Sequence, residues 1–136
     1  MQITQRTLEK LQSPGAGLNQ LQRGIEKESL RVATDGSLSK LPHPKALGSA
    51  LTHSAITTDF SEAQLELITG VHNSPEACLT ELSDIHDFVH ANLDAELLWP
   101  SSMPCIIGTE NDAIPIGKYG TSNIGRTKTV YRRGLG

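Results

Sequence analysis

Two short stretches alternate in polarity with a period of two, and they constrain the fold more than any other feature. In I-E-K-E-S-L-R-V (residues 25–32), Leu30 and Val32 fall on one face with Glu26 and Glu28, and Ile25, Lys27, Ser29 and Arg31 on the other. In Q-L-E-L-I (residues 64–68), Leu65 and Leu67 oppose Gln64, Glu66 and Ile68. Successive side chains of a strand point to opposite faces, so both stretches read as half-buried β-strands. The turn signal Asp35-Gly36 closes the first. Residues 55–60, rich in Ile and Thr, read as a third extended segment.

Helical signals surround these strands. Ser74 suits an N-cap, Pro75 the first helical position and Glu76 the positive end of the dipole. Cys78, Leu82, Ile85, Val89 and Leu93 then recur at spacings of three and four, which predicts a core-facing helix running to about Leu97 before Trp99-Pro100 stops it. Residues 4–11 read as a short helix with Leu8 and Leu11 on one side, ended by Ser13-Pro14-Gly15. Pro44 to Gly48 has the signals to begin and end one helical turn. Strands separated by helices and loops without a regular βαβ rhythm predict an α+β fold with an antiparallel sheet and flanking helices. From Ser101 onward Gly and Pro punctuate the chain, and no closing element is evident after Tyr131.

Composition sets the boundaries of function. With 136 residues the chain is one domain's length, and its five aromatics (Phe60, Phe88, Trp99, Tyr119, Tyr131) leave the core to Leu, Ile and Val. The polar N-terminus and the absence of a long apolar run give no secretory or membrane-spanning signal. Two cysteines, Cys78 and Cys105, make no disulfide framework, which points to a reducing, cytoplasmic setting. Residues 1–112 carry all fifteen acids against seven bases; residues 113–136 carry Lys118, Arg126, Lys128, Arg132 and Arg133 and no acid. That asymmetry fits either a basic stretch that meets an anion or two complementary faces that meet within one fold. Nucleic acid is disfavoured because aromatics do not interleave with the bases.

Glu26 and Glu28 on one strand face lie about 7 Å apart. With Glu66 from the second strand and Asp59 from the intervening segment, as many as four carboxylates converge if the strands are neighbours. Such a cluster needs cations, and its oxygens suit Mg²⁺ or Mn²⁺; the alternative is a solvated face beside Lys27 or Arg31. His86 and His90 stand one helical turn apart but lack the Glu of a zinc-protease helix, and read as helix-edge residues. Cys78 reads as a buried thiol and Cys105 as a weak nucleophile. The stretch Y-G-T-S-N-I-G-R (residues 119–126) has glycines and hydroxyls for an anion-binding loop, without being a Walker or dinucleotide motif.

These stretches carry a resemblance. R-G-I-E-K-E-S-L-R-V, A-L-G-S-A-L-T-H, I-T-T-D-F-S-E-A-Q-L-E-L-I-T, W-P-S-S-M-P-C and Y-G-T-S-N-I-G-R, in that order, resemble the N-terminal part of the proteobacterial glutamate–cysteine ligases from about Arg23 onward. The resemblance implies an enzyme that uses ATP to phosphorylate the γ-carboxylate of L-glutamate. The amine of L-cysteine then attacks γ-glutamyl phosphate, giving γ-glutamylcysteine, ADP and phosphate, the first step of glutathione biosynthesis. It implies a glutamine synthetase-like fold whose antiparallel sheet presents acids and Mg²⁺ (or Mn²⁺). By the same resemblance Glu26, Glu28 and Glu66 are metal ligands, Asp59 is a ligand or orienting group, Phe60 and Tyr131 line the cysteine pocket, and Arg132 contacts an anionic group.

Family members are several times longer. The expectation is therefore an N-terminal helical segment (residues 1–22) and an incomplete N-terminal part of the catalytic domain (residues 23–136), inactive without the remainder of the ligase. Its partners are expected to be small-molecule substrates, with neither nucleic acid nor membrane. A free-standing anion-binding module that uses the basic C-terminal stretch is the other reading.

Overall fold

The computed structural model describes residues 4–12, 20–110 and 113–134. Chain order is α1 (Gln5–Gln12), β1 (Glu26–Val32), a 3-10 turn at Lys45–Leu47, β2 (Ile56–Thr57), β3 (Gln64–Ile68), α2 (Pro75–Ala91), β4 (Leu97–Leu98) and α3 (Asn123–Gly134). The sequence-predicted stop of the first helix at Ser13-Pro14-Gly15 lies outside the described residues.

All four strands form one antiparallel sheet in the order β2-β3-β1-β4. This is the α+β arrangement that the two alternating stretches predict. Register pairs Lys27 with Leu67, Ser29 with Leu65, and Ile56 with Leu67. Leu65, Leu67 and Ile56 therefore share one face, where they meet Leu47, Val89 and Leu93 in the main core. Each such side chain, fully withdrawn from water, contributes about 1.5–3 kcal/mol. On the opposite face the apolar end of β1 builds a second cluster. There Val32 packs with Leu38, Ala63 and Cys105, with Leu30 and Trp99 against them.

The Asp35-Gly36 turn forms as the sequence predicts. Gly36 has φ +84°, and the Asp35 carboxylate accepts from the backbone N–H and hydroxyl of Ser37 at 2.9 and 2.7 Å. Ser74 caps α2, its Oγ accepting from the Ala77 N–H at 3.1 Å.

Two boundaries differ from the sequence reading. α2 ends at Ala91, short of Leu97. Asn92 donates its side-chain amide to the Phe88 carbonyl at 2.8 Å, and Asp94 turns the chain with φ +51°. Leu97 and Leu98 are then free to pair with Val32 and Arg31, a tertiary pairing that overrides local helical periodicity. Of the extended segment 55–60, only Ile56–Thr57 is strand.

The C-terminal stretch closes with α3, which the sequence reading did not foresee. Its first turn takes in Asn123 to Arg126, so half of the expected glycine-rich loop is helix, started by Ser122, whose Oγ accepts from the Gly125 N–H at 3.0 Å. Gly125 is needed there because an added Cβ would sit 2.8 Å from the Gly120 carbonyl oxygen and closer still to that of Tyr119. Backbone cannot yield as a flexible side chain can. Gly125→Ala is expected to destabilise the seating of α3 by about 1–3 kcal/mol, read as faster amide exchange over residues 119–134 with α2 unchanged. Wild-type exchange would overturn the packing argument.

Candidate functional site

The antiparallel register of β1 and β3 puts Glu28 directly opposite Glu66, with Glu26 two residues along the same face opposite Ile68. Directly opposed residues have Cβ atoms about 4.5–5.5 Å apart, and like charges at that distance repel. Burial, and then the charges of Glu26 and Glu28, push the Glu66 carboxyl above its ordinary range, with Lys128 acting against them. Gln64 donates its amide to Glu28 Oε2 at 2.8 Å. A cleft of about 370 Å³ adjoins this end of the face, lined by Glu28, Leu30, Gln64, Trp99 and Met103 among others.

The donors on this face are oxygens, which suits a hard cation such as Mg²⁺ rather than zinc. Excess negative charge at Glu66 fits the same need. Among the described residues no three His, Cys, Asp or Glu side chains are gathered closely enough to enclose a metal. The face thus offers the right atoms without a closed cage.

The other sequence-predicted residues lie off the β1–β3 ladder. Asp59 lies two residues beyond β2, half-buried, outside the register that aligns the glutamates. Phe60 is half-buried, its carbonyl held by the Gly117 N–H at 2.9 Å. Tyr131 stands on α3 and is 61% exposed. Arg132 and Arg133 belong to α3, but their side chains lie outside the described residues.

Lys128 decides how the charge asymmetry is used at one point. Its Nζ lies 5.2 Å from the centroid of the buried Tyr119 ring, and its charge reaches Glu66. The charge of the basic stretch thus acts on the acidic face of β1 and β3. His86 and His90 stack with ring centroids 5.7 Å apart, and burial first, then Lys27 and His90, holds His86 below its usual pKa. Cys78 and Cys105 are free, buried thiols.

Arg31 corrects the sequence reading. It does not lie beside Glu26 and Glu28 on a wet face; it is fully buried on the opposite one. Its Nη1 donates to both oxygens of Glu96 at 2.8 and 2.6 Å, and its Nη2 to the carbonyls of Leu41 and Glu62 at 2.9 and 2.8 Å. The sequence carried a signal, a lone arginine in phase with the strand face opposite Leu30 and Val32. Its partner Glu96, 65 residues away, had none.

Comparison with known proteins agrees with the motifs. The family model for glutamate-cysteine ligase matches residues 8–136, so the likeness begins well before Arg23. The glutamate–cysteine ligase of Alcanivorax borkumensis is 54% identical over 121 residues, covering 89% of this chain and 23% of that protein. The Edwardsiella ictaluri ligase is 53% identical over 130 residues, covering 96% and 25%.

Among solved structures, the Francisella tularensis glutamate–cysteine ligase in complex with AMP superposes with a TM-score of 0.78 at 43% identity, over 84% of this chain and 23% of that one. A bifunctional glutathione synthetase from Pasteurella multocida superposes with a TM-score of 0.76 at 35% identity, over 94% and 16%. The chain spans about a quarter of the length of the curated relatives it matches. No described helix is long and apolar enough to cross a membrane. With the acidic strand pair set in a fold shared with solved ligases, and the family match running over nearly all of its length, this chain belongs to the glutamate–cysteine ligase family.

Proposed function

We propose that residues 23–136, after a helical segment over residues 1–22, form the N-terminal part of the catalytic domain of a cytoplasmic glutamate–cysteine ligase. Its reaction joins the γ-carboxylate of L-glutamate to the amine of L-cysteine through γ-glutamyl phosphate, at the expense of ATP, as the first step of glutathione biosynthesis. The observation that carries this reading is the Glu26, Glu28 and Glu66 face of β1 and β3.

Phosphoryl transfer asks the protein for positioning and charge rather than covalent chemistry. Glu26, Glu28 and Glu66 would hold Mg²⁺ or Mn²⁺, with Asp59 as a further ligand or orienting group. Bound there, the ion supplies neutralisation of phosphate charge. Phe60 and Tyr131 form an apolar wall for the cysteine side chain, and Arg132 contacts an anionic group. A site assembled from distant segments depends on their mutual placement, so a quarter of the ligase length does not catalyse alone.

The test is a chimera in which this chain replaces the matching segment of the Alcanivorax borkumensis ligase. The chimera is expected to form γ-glutamylcysteine with ATP and Mg²⁺, and the 136-residue chain alone to form none. A folded but inactive chimera would overturn the proposal.

A further inference from the structure

Glu62 is buried to 4% exposure, just after Phe60, and none of the catalytic roles above uses it. Its two carboxylate oxygens serve two different loops. Oε1 accepts from the His43 N–H at 2.9 Å, and Oε2 from the Lys118 N–H at 2.5 Å. Its backbone makes two further bonds: its N–H donates to the Pro115 carbonyl at 2.8 Å, in the same loop as Lys118, and its carbonyl accepts from Arg31 Nη2 at 2.8 Å. Around it, Ser61 bridges Ile116, the Ser61 hydroxyl donates to the Pro115 carbonyl at 2.9 Å, and the Gly117 N–H holds the Phe60 carbonyl.

The consequence runs along the chain. Lys118 precedes the buried Tyr119, Gly120 turns with φ +74°, and α3 begins at Asn123. Glu62 thus holds the Lys118 N–H just ahead of the helix that carries Lys128 and Tyr131. A buried carboxylate with one acceptor for each of two backbone donors fixes both loops at once, and no neutral side chain of the same shape offers two acceptors.

We propose that Glu62 is a positioning residue for the cysteine side of the ligase site. It clamps residues 115–118 so that α3 and the Phe60 segment keep their relative placement, while the glutamates of β1 and β3 are held independently by the sheet. The role in cysteine binding rests on the reaction proposed above; the clamp itself does not.

Two measurements test it. In the chimeric ligase, Glu62→Gln is expected to raise the KM for cysteine about tenfold, with the KM for glutamate changed by less than about threefold. Val89→Ala, a truncation on the buried face of α2, is expected to lower the melting temperature without moving the cysteine KM. In the 136-residue chain, Glu62→Gln is expected to speed amide exchange over residues 115–134 at least about tenfold, leaving α2 protected.

Unchanged exchange would overturn the clamp. Faster exchange with an unchanged cysteine KM, or an equal rise for all substrates, would overturn the positioning role. An inactive wild-type chimera would overturn the reaction and with it the cysteine role, while the exchange result still decides the clamp.

Discussion

In the chimeric ligase, Glu66→Gln is expected to lower turnover roughly 100-fold or more. Charge stabilisation by a bound metal is worth several kcal/mol, and each 1.4 kcal/mol is about a factor of ten in rate. The same substitution is expected to leave the melting temperature unchanged or slightly higher, because it removes a charge that burial and two neighbouring glutamates disfavour. Loss of activity with retained stability separates a ligand from a merely structural residue. Turnover within twofold of wild type would remove Glu66 from the metal site.

Acid relieves the same repulsion. The folded pKa of Glu66 lies above its ordinary 4.5. Its contribution to stability is therefore fully present below about pH 4.5, and it is lost as the pH rises through the folded value.

The second large effect is in the core. Arg31→Met is expected to cost about 3–5 kcal/mol in urea unfolding of the chain, against a typical domain total of about 5–15 kcal/mol. The substitution leaves Glu96, a nearly buried carboxylate, without its cation, and takes a donor from the carbonyls of Leu41 and Glu62. Replacing both partners, in Arg31→Met with Glu96→Leu, is expected to recover much of the loss, since a buried pair costs most when only one member remains. A single variant within about 1 kcal/mol of wild type would show that the pair is poorly coupled.

What was legible locally came out in the structure. The alternation of residues 25–32 and 64–68 gave strands with Leu65 and Leu67 inward and Glu26, Glu28 and Glu66 together on the other face. Ser74-Pro75 marked the start of α2, and Asp35-Gly36 the turn. Each signal acts over a few residues, through side-chain period, capping or a permitted φ. The signals failed where a distant partner decided. Leu97 and Leu98 leave the helical pattern because β1 offers them hydrogen bonds, and α3 depends on Gly125 seating against the Tyr119 and Gly120 carbonyls.

By itself the sequence determined the α+β class, the phase of β1 and β3, the family motifs and the carboxylates that share a face, because periodicity is a local property of the chain. Only the tertiary structure decided that Arg31 turns inward to Glu96, that Glu62 joins two loops, and that Lys128 comes back to Glu66. Those interactions link residues 19 to 65 positions apart, and a buried charge declares its partner only once the chain has closed around it.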